Sequence, residues 1–461
     1  MVRYILQEMG GTMLISHHAR TAGSVSWCVW TAVIALGVGL TPVLNYAQGA
    51  GSDLEGSPGT FTADIAPILQ RSCQSCHRPG SIAPMSLMTY EDVRPWARSI
   101  KQNVETRKMP PWFVDKTVGI QHFKDDRSLN DEEIATISRW VDGGAPKGNP
   151  TDMPPPVTFE TNLYEWTIAD ELGREPDLIV PIPEPFFVAG DSPNLWIEFD
   201  SDTGLIEDRW VKALETKPSL EGFPIVHHAS TRMFLPSDPD EIETFGEYAL
   251  GKTGDIHPDG TGRLMKAGTH LEWNLHYSAN PNGEDTTDRT SIALWFYPKG
   301  EEPERRLYRQ SVGNVTDLDL PAGDSLVRTD GYTFLEHNVQ LSVYQPHLHN
   351  HGKRQCLEAI YQDGRAQTLS CADWDFGWHI AYNYADEAQP LLPKGTVLHV
   401  ISWHDNSQGN RWAADPRNWV GWGNRSTDDM SFAHISWYRL SDEEYQDQFN
   451  VRLAARTNND N

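Results

Sequence analysis

The stretch Gln345-Pro346-His347-Leu348-His349-Asn350-His351-Gly352-Lys353 sets imidazoles at alternate positions. Side chains two apart in a strand share a face, so His347 and His349 would offer two nitrogen ligands from one rigid element. His351 joins them if the strand runs on. Val339, Leu341 and Val343 lead in with the same register, which predicts a strand that leaves a core and ends at a metal site. A polar loop that happens to carry histidines is the competing reading of this stretch alone. Earlier in the chain, His227-His228 follows Phe223-Pro224-Ile225-Val226. Neighbours in a regular strand point to opposite faces, so both reach one metal only where the chain bulges or turns. The run from His270 to Ser278 alternates cleanly. Leu271, Trp273, Leu275 and Tyr277 take one face, and His270, Glu272, Asn274 and His276 take the other. An imidazole therefore emerges at the end of that strand, although taken singly it reads as solvent-facing. Met430 closes the turn-forming, acidic run from Gly423 to Asp429, an odd place for a core methionine. Its thioether is a soft ligand that favours Cu(I), and two histidines with one methionine make a site that can be reduced and meet dioxygen.

A second chemistry lies at Cys73-Gln74-Ser75-Cys76-His77. Two thiols at this spacing form thioethers to haem vinyl groups and the following histidine becomes an iron ligand, which is the attachment signature of a c-type haem. A zinc knuckle would want another cysteine pair nearby, and a thioredoxin motif a βαβ pattern. The flanks predict helices. Thr62 is placed to cap one that carries Ile65, Ile68 and Leu69 into Cys73. Val93, Trp96, Ile100 and Val104 mark another between Glu91 and Lys108. A further helix runs from Asn130 through Ile134, Ile137, Trp140 and Val141 to Gly143-Gly144. Met109, ahead of Pro110-Pro111-Trp112, would be presented to the iron from a stiff turn as the distal ligand, with Met85 and Met88 as rivals. Three helices around this motif resemble a class I cytochrome c domain over residues 58–147.

The elements that must position these residues follow from the rest of the chain. At 461 residues, two or three domains are expected. A formal net charge of -26 argues against nucleic acid or an anionic membrane surface as partner. Residues 1–50, apolar from Ser26 to Leu44 and followed by Ala47, Gly49 and Ala50, read as an export leader, with an uncleaved anchor as the alternative. Export to the periplasm or medium suits the pair Cys356 and Cys371, which brackets a hairpin-like segment and is expected to form a disulfide. Residues 148–157, with Pro154-Pro155-Pro156, read as a stiff linker. Beyond them, short alternating runs separated by Gly, Pro, Asp and Asn predict two all-β sandwich, jelly-roll-like domains, 158–310 and 311–445, and a polar tail at 446–461.

The His-His pair, the later His-Tyr, the His-x-His with Gly just beyond and the Thr-Asp-x-Met segment, in that order, resemble the copper type II ascorbate-dependent monooxygenases. That family includes peptidylglycine α-hydroxylating monooxygenase and dopamine β-monooxygenase, and the resemblance covers about residues 175–440. It implies two packed β-sandwiches with a solvent cleft between two coppers. It implies His227, His228 and His276 as ligands of an electron-transfer copper, and His347, His349 and Met430 as ligands of the copper that activates dioxygen. Trp374, Asp375, Phe376 and Trp378 match the family's aromatic strand and read as core and cleft wall, and His351 and His404 as imidazoles that support ligands. The expected activity is hydroxylation of an activated C–H bond in a small organic molecule. Electrons would come from ascorbate, a quinol-linked donor or a small redox protein and pass through the haem, with His77 and Met109 as its axial ligands. The alternative class is a haem c electron-transfer or ligand-binding protein whose β-domains are not catalytic. The fused cytochrome, the scarcity of disulfides and the lack of a match to the family's substrate-carboxylate arginine are departures, and the last tells against peptide amidation.

Overall fold

The computed structural model describes residues 59–459 apart from 80, 82, 84, 125, 159–164 and 250–253. The leader expected at 1–50 lies outside the described residues. Among the described residues, most of the regular secondary structure is β-strand, with few helices. The helices gather at the start as α1 (Ala66–Ser72), α2 (Ala97–Glu105) and α3 (Asp131–Asp142). Asn130 caps α3 in a capping box with Glu133, three acids occupy its first turn and Gly143 ends it, as the sequence predicts. The start of the first helical segment is different. Its cap is Thr60, whose hydroxyl accepts from Ala63 N, while Thr62 is buried inside the turn. Ile65, Leu69, Ile100, Val104, Ile137 and Trp140 form one apolar core. Trp96, expected on that face, is 45% exposed, because Pro95 tightens the chain into a 3-10 turn and rotates it out of phase.

The first sandwich is built from β1 (Leu178–Pro181), β2 (Leu195–Asp202), β3 (Arg209–Lys217), β4 (Val226–Leu235), β5 (Asp238–Ala249), β6 (Thr261–Met265), β7 (His270–Tyr277) and β8 (Ser291–Phe296). One sheet has the order β2-β7-β4-β5 and the other β1-β8-β3-β6. Leu271, Trp273, Leu275 and Tyr277 are fully buried between them with Ile292 and Leu294, so the alternation of β7 directs its apolar face inward. The second sandwich uses β9 (Arg305–Val312), β10 (Val327–Phe334), β11 (Asn338–Leu348), β12 (Gly352–Ile360), β13 (Ala366–Asp373), β14 (Val397–His404) and β15 (Ser431–Leu440). Its sheets are β10-β14-β12-β13 and β9-β15-β11. A short parallel pairing of Arg305 and Arg306 with Thr261 and Gly262 joins β9 to β6, so one sheet runs on through both sandwiches.

Three features position the rest. The segment after the helices does not stay with them. Trp112, Val114 and Phe123 enter the core of the second sandwich, Val114 bridges to Ala372, and Asp115 pairs with Arg354. The Pro-rich spacer lies against the helical module through Gln70 Nε2, which donates to Pro155 O at 3.0 Å. The polar tail is not unstructured, since α4 spans Asp442–Asn459. Ser441 and Glu444 exchange the two hydrogen bonds of a capping box, and Tyr445 packs with Leu307, Tyr438 and Leu440. Low apolar content hid this helix from a periodicity reading, although Ser441-Asp442-Glu443-Glu444 is its start signal. Cys356 and Cys371 face each other across β12 and β13 and form a disulfide. No helix among the described residues is long and apolar enough to cross a membrane.

Candidate metal centres

The first histidine group forms where β4 and β7 pair. Val226 opposes Tyr277 and His228 opposes His276, so His227 is the extra residue of a β-bulge. That bulge is what two adjacent ligands require. His227, His228 and His276 offer ring nitrogens that all lie within 4.8 Å of one another. Trp196 covers His276 with its ring 4.2 Å away, and Phe376, from the loop after β13, stacks on His227 at 5.5 Å. The buried carboxylate of Asp288 holds the frame. It accepts from Tyr277 Oη at 2.9 Å, from Ser219 N and Oγ at 3.0 Å each, and from Thr290 N at 3.0 Å and Oγ1 at 2.7 Å. It thereby ties the residue after His276 to the loop that leads into His227.

The second group lies at the end of β11. The histidines do not share a face with Val339 and Leu341, as their register predicts. The pairing of β11 with β15 slips between Leu341 and Val343, so the extra residue Ser342 reverses the alternation. Val339, Leu341 and Tyr344 point into the second core. Gln345, on the other side, meets the first sandwich, where its Nε2 donates to Glu247 Oε2 at 2.6 Å. His347 follows on that side, and Glu247, His347 and His379 offer ligand atoms all within 4.8 Å. His347 and His349 rings lie 5.4 Å apart. His349 is buried, with Nδ1 donating to Asp428 O at 3.3 Å.

Asp429, fully buried, organises this second group. Its Oδ1 accepts from His349 N at 2.9 Å and from Met430 N at 2.8 Å, and lies 3.6 Å from His404 Nδ1. Its Oδ2 accepts from His351 N at 2.9 Å and Nδ1 at 3.1 Å. His351 and His404 therefore clasp the carboxylate and support the loop. Burial opposes ionisation of Asp429, but His404, the His351 hydrogen bond and His349 outweigh it and hold the carboxyl well below its usual range. Trp374 donates from Nε1 to His349 O at 3.0 Å. Gly352 is small of necessity, since a Cβ there would come within 2.5 Å of Leu348 and 2.7 Å of Trp374. The segment matched to an aromatic strand, Trp374 to Trp378, is a loop rather than a strand.

The imidazoles are in the form that binds metals. Burial, reinforced by neighbouring imidazoles, pushes His276 down to about 3 and holds His228 and His347 well below the usual histidine range. Burial likewise lowers His379 to about 4, against the opposing pull of Glu247. All four are neutral at neutral pH and keep a lone pair. Both ring nitrogens of His276, both of His379 and Nδ1 of His347 are buried without a hydrogen-bond partner. Each such atom costs about 1–3 kcal/mol if nothing else satisfies it. A bound metal would satisfy them, so the residues present fit the ion that their types imply.

At the helical end, Cys73 and Cys76 are free, half-buried thiols in the turn that leaves α1. Burial, with Cys76 nearby, pushes the Cys73 thiol up to about 12. His77 donates from Nδ1 to Met85 O at 3.2 Å, which leaves Nε2 as its ligand atom. Met109 is half-buried and its N–H bonds to Asn103 O at 3.3 Å. Elsewhere, a cavity of about 330 Å³ between the sandwiches is lined by His257, Arg263, Arg309, Asp255 and Glu171 and by none of the histidines grouped above. Glu247 and His379 are the members that sequence reasoning missed. Glu247 carries no motif, and His379 stands one residue beyond the aromatic run that the sequence marked.

No family model matches the chain, and neither does any curated protein. Among solved structures, the major capsid protein of bacteriophage PM2 aligns over 58% of this chain and 98% of its own, at 8% identity and a TM-score of 0.27. The infectious bursal disease virus structure, strain Gx, covers 59% of this chain and 74% of its own, at 8% identity and a TM-score of 0.17. A Bacillus subtilis oxalate decarboxylase variant covers 62% and 86%, at 8% identity and a TM-score of 0.13. Likeness at this level implies neither a shared fold nor a shared activity.

Proposed function

We propose that this chain is an exported copper-dependent monooxygenase that hydroxylates an activated C–H bond of a small organic molecule with dioxygen. Its electrons arrive through a covalently bound c-type haem. The observation that carries the reading is the bulge at His227, which lets adjacent histidines converge with His276. Neutral, buried imidazole nitrogens without hydrogen-bond partners in that group support it. His227, His228 and His276 would hold one copper. His347, His349 and Met430 would hold the other, by the resemblance. When bound, copper supplies the one-electron redox change and the activation of dioxygen.

The chain's own part is to hold, orient and exclude. Asp288 and Asp429 fix the two ligand loops from buried positions, while Trp196, Phe376 and Trp374 pack their rings against His276, His227 and His347. Cys73 and Cys76 would carry the haem thioethers, with His77 and Met109 as axial ligands. The class I cytochrome c assignment of the helical module rests on that motif. The Cys356–Cys371 disulfide favours an oxidising compartment. Ascorbate, a quinol-linked donor or a small redox protein would reduce the haem. Replacing Met430 with Ala tests the reading. Oxygen-dependent turnover should vanish while the haem still reduces, and normal turnover by that variant would remove the assignment of the oxygen site. Replacing His228 with Ala should block oxidation of reduced haem through the second copper, and unimpaired single-turnover oxidation would count against the electron path.

A further inference from the structure

His379 is the histidine that the resemblance does not use, and its surroundings are those of a ligand. It is 95% buried by its 5% exposure, and neither ring nitrogen has a hydrogen-bond partner. Its ring lies 5.6 Å from that of His347 and 6.3 Å from that of His228. It therefore stands between the two histidine groups. Glu247 reaches the same point from β5, on the first sandwich, and a ligand atom from each of Glu247, His347 and His379 lies within 4.8 Å of the others.

We propose that Glu247, His347 and His379 form a binding site for a divalent first-row metal ion, occupied by Cu(II) when copper is supplied. The inference rests on the reading of His347 as a metal ligand. Glu247 suits the role because its carboxylate has two oxygens. Gln345 donates to Oε2 at 2.6 Å and Arg309 lies 3.7 Å from the same oxygen, which orients the group. Arg309 is fixed in turn, donating from Nη2 to Gln345 Oε1 at 2.5 Å. Two imidazoles and a carboxylate form a harder ligand set than two imidazoles and a thioether. His347 is thus shared between a set suited to the divalent ion and, through His349 and Met430, one suited to Cu(I). The carboxylate comes from one sandwich and the imidazoles from the other, so an ion bound here also clamps the two sandwiches together.

The test is Cu(II) titration of the full haem-loaded chain, with copper counted per chain and each equivalent followed by electron paramagnetic resonance. His379→Ala and Glu247→Gln should each bind the second Cu(II) equivalent at least about 100-fold more weakly, because they remove a direct ligand where loss of a mere supporting contact costs 10–100-fold. Met430→Ala should keep both Cu(II) equivalents. His379→Asn, which fills the space with a smaller amide, should lose the same equivalent, and an unchanged thermal unfolding midpoint in that variant identifies the loss as ligand loss rather than misfolding. Retention of both equivalents by the His379 and Glu247 variants, with one lost from Met430→Ala, would overturn this site and leave the copper monooxygenase reading standing. No tight Cu(II) in the unmodified chain would overturn both.

Discussion

Replacing Asp429 with Asn asks how much of the second ligand loop hangs on one buried carboxylate. The side chain keeps its shape and loses its charge. In the native chain, Oδ1 serves His349 N, Met430 N and His404, and Oδ2 serves His351 N and Nδ1. An amide has one acceptor oxygen, so whichever way it turns, its NH2 faces donors that it cannot satisfy. Turned with oxygen toward His349 and Met430, it leaves His351 N without an acceptor, at about 1–3 kcal/mol for a buried donor. The expected loss is therefore about 1–3 kcal/mol for each stranded donor, a large share of the roughly 5–15 kcal/mol that keeps a domain folded. Urea unfolding of the full chain, followed by tryptophan fluorescence, measures it. Cu(I) bound by the reduced chain, counted in the same sample, should fall as well, because His349 and Met430 lose their common anchor. A loss under about 1 kcal/mol with copper retained would refute the view that this carboxylate positions the loop.

Other consequences are separable. Asp115 is held down at about 2 by Thr117 hydrogen bonds and by Arg354. A lowered carboxyl stabilises the fold above the unfolded value of about 3.9, and its contribution is lost as pH falls from about 4 through about 2. Because solvent still reaches the Asp115–Arg354 pair, its contribution is discounted to on the order of 1 kcal/mol or less. Asp115→Asn should flatten the acid limb of the stability curve in that window, and an unchanged curve would count against the tie between residues 112–123 and β12. Replacing Cys356 and Cys371 with Ser together should cost about 2–4 kcal/mol in denaturant unfolding, since the bridge closes a short loop in the unfolded chain. No change between this variant and the native chain under non-reducing conditions would contradict that. Trp374→Phe removes the bond from Nε1 to His349 O. It should cost about 1 kcal/mol and weaken Cu(I) binding by the reduced chain, while an unaltered Cu(I) affinity would show that Trp374 only fills space.

The helical module, the switch to β-structure after the prolines and the first histidine group could be read from the chain because each rests on local rules. Capping boxes, the alternation through Leu271 to Tyr277, and the need for a bulge at His227-His228 are statements about neighbours in sequence. What could not be read depends on partners far away. The slip at Ser342 turns His347 toward the first sandwich, and nothing in Leu341-Ser342-Val343 announces it. Glu247 joins the site only through the contact of the first sandwich with Gln345 of the second, and Trp112 to Phe123 leave the helices to pack in the second core. The helix at Asp442–Asn459 was different, since its start signal is present and its weak apolar face masked it.

Copper and haem per chain, counted in protein matured in an oxidising compartment and reconstituted with excess copper, address the central claim most directly. One haem and two coppers are expected, with the electron-transfer copper lost from His276→Ala while the haem stays bound. Haem without tightly bound copper would contradict it, and the buried imidazoles of β4 and β7 would then need another ligand.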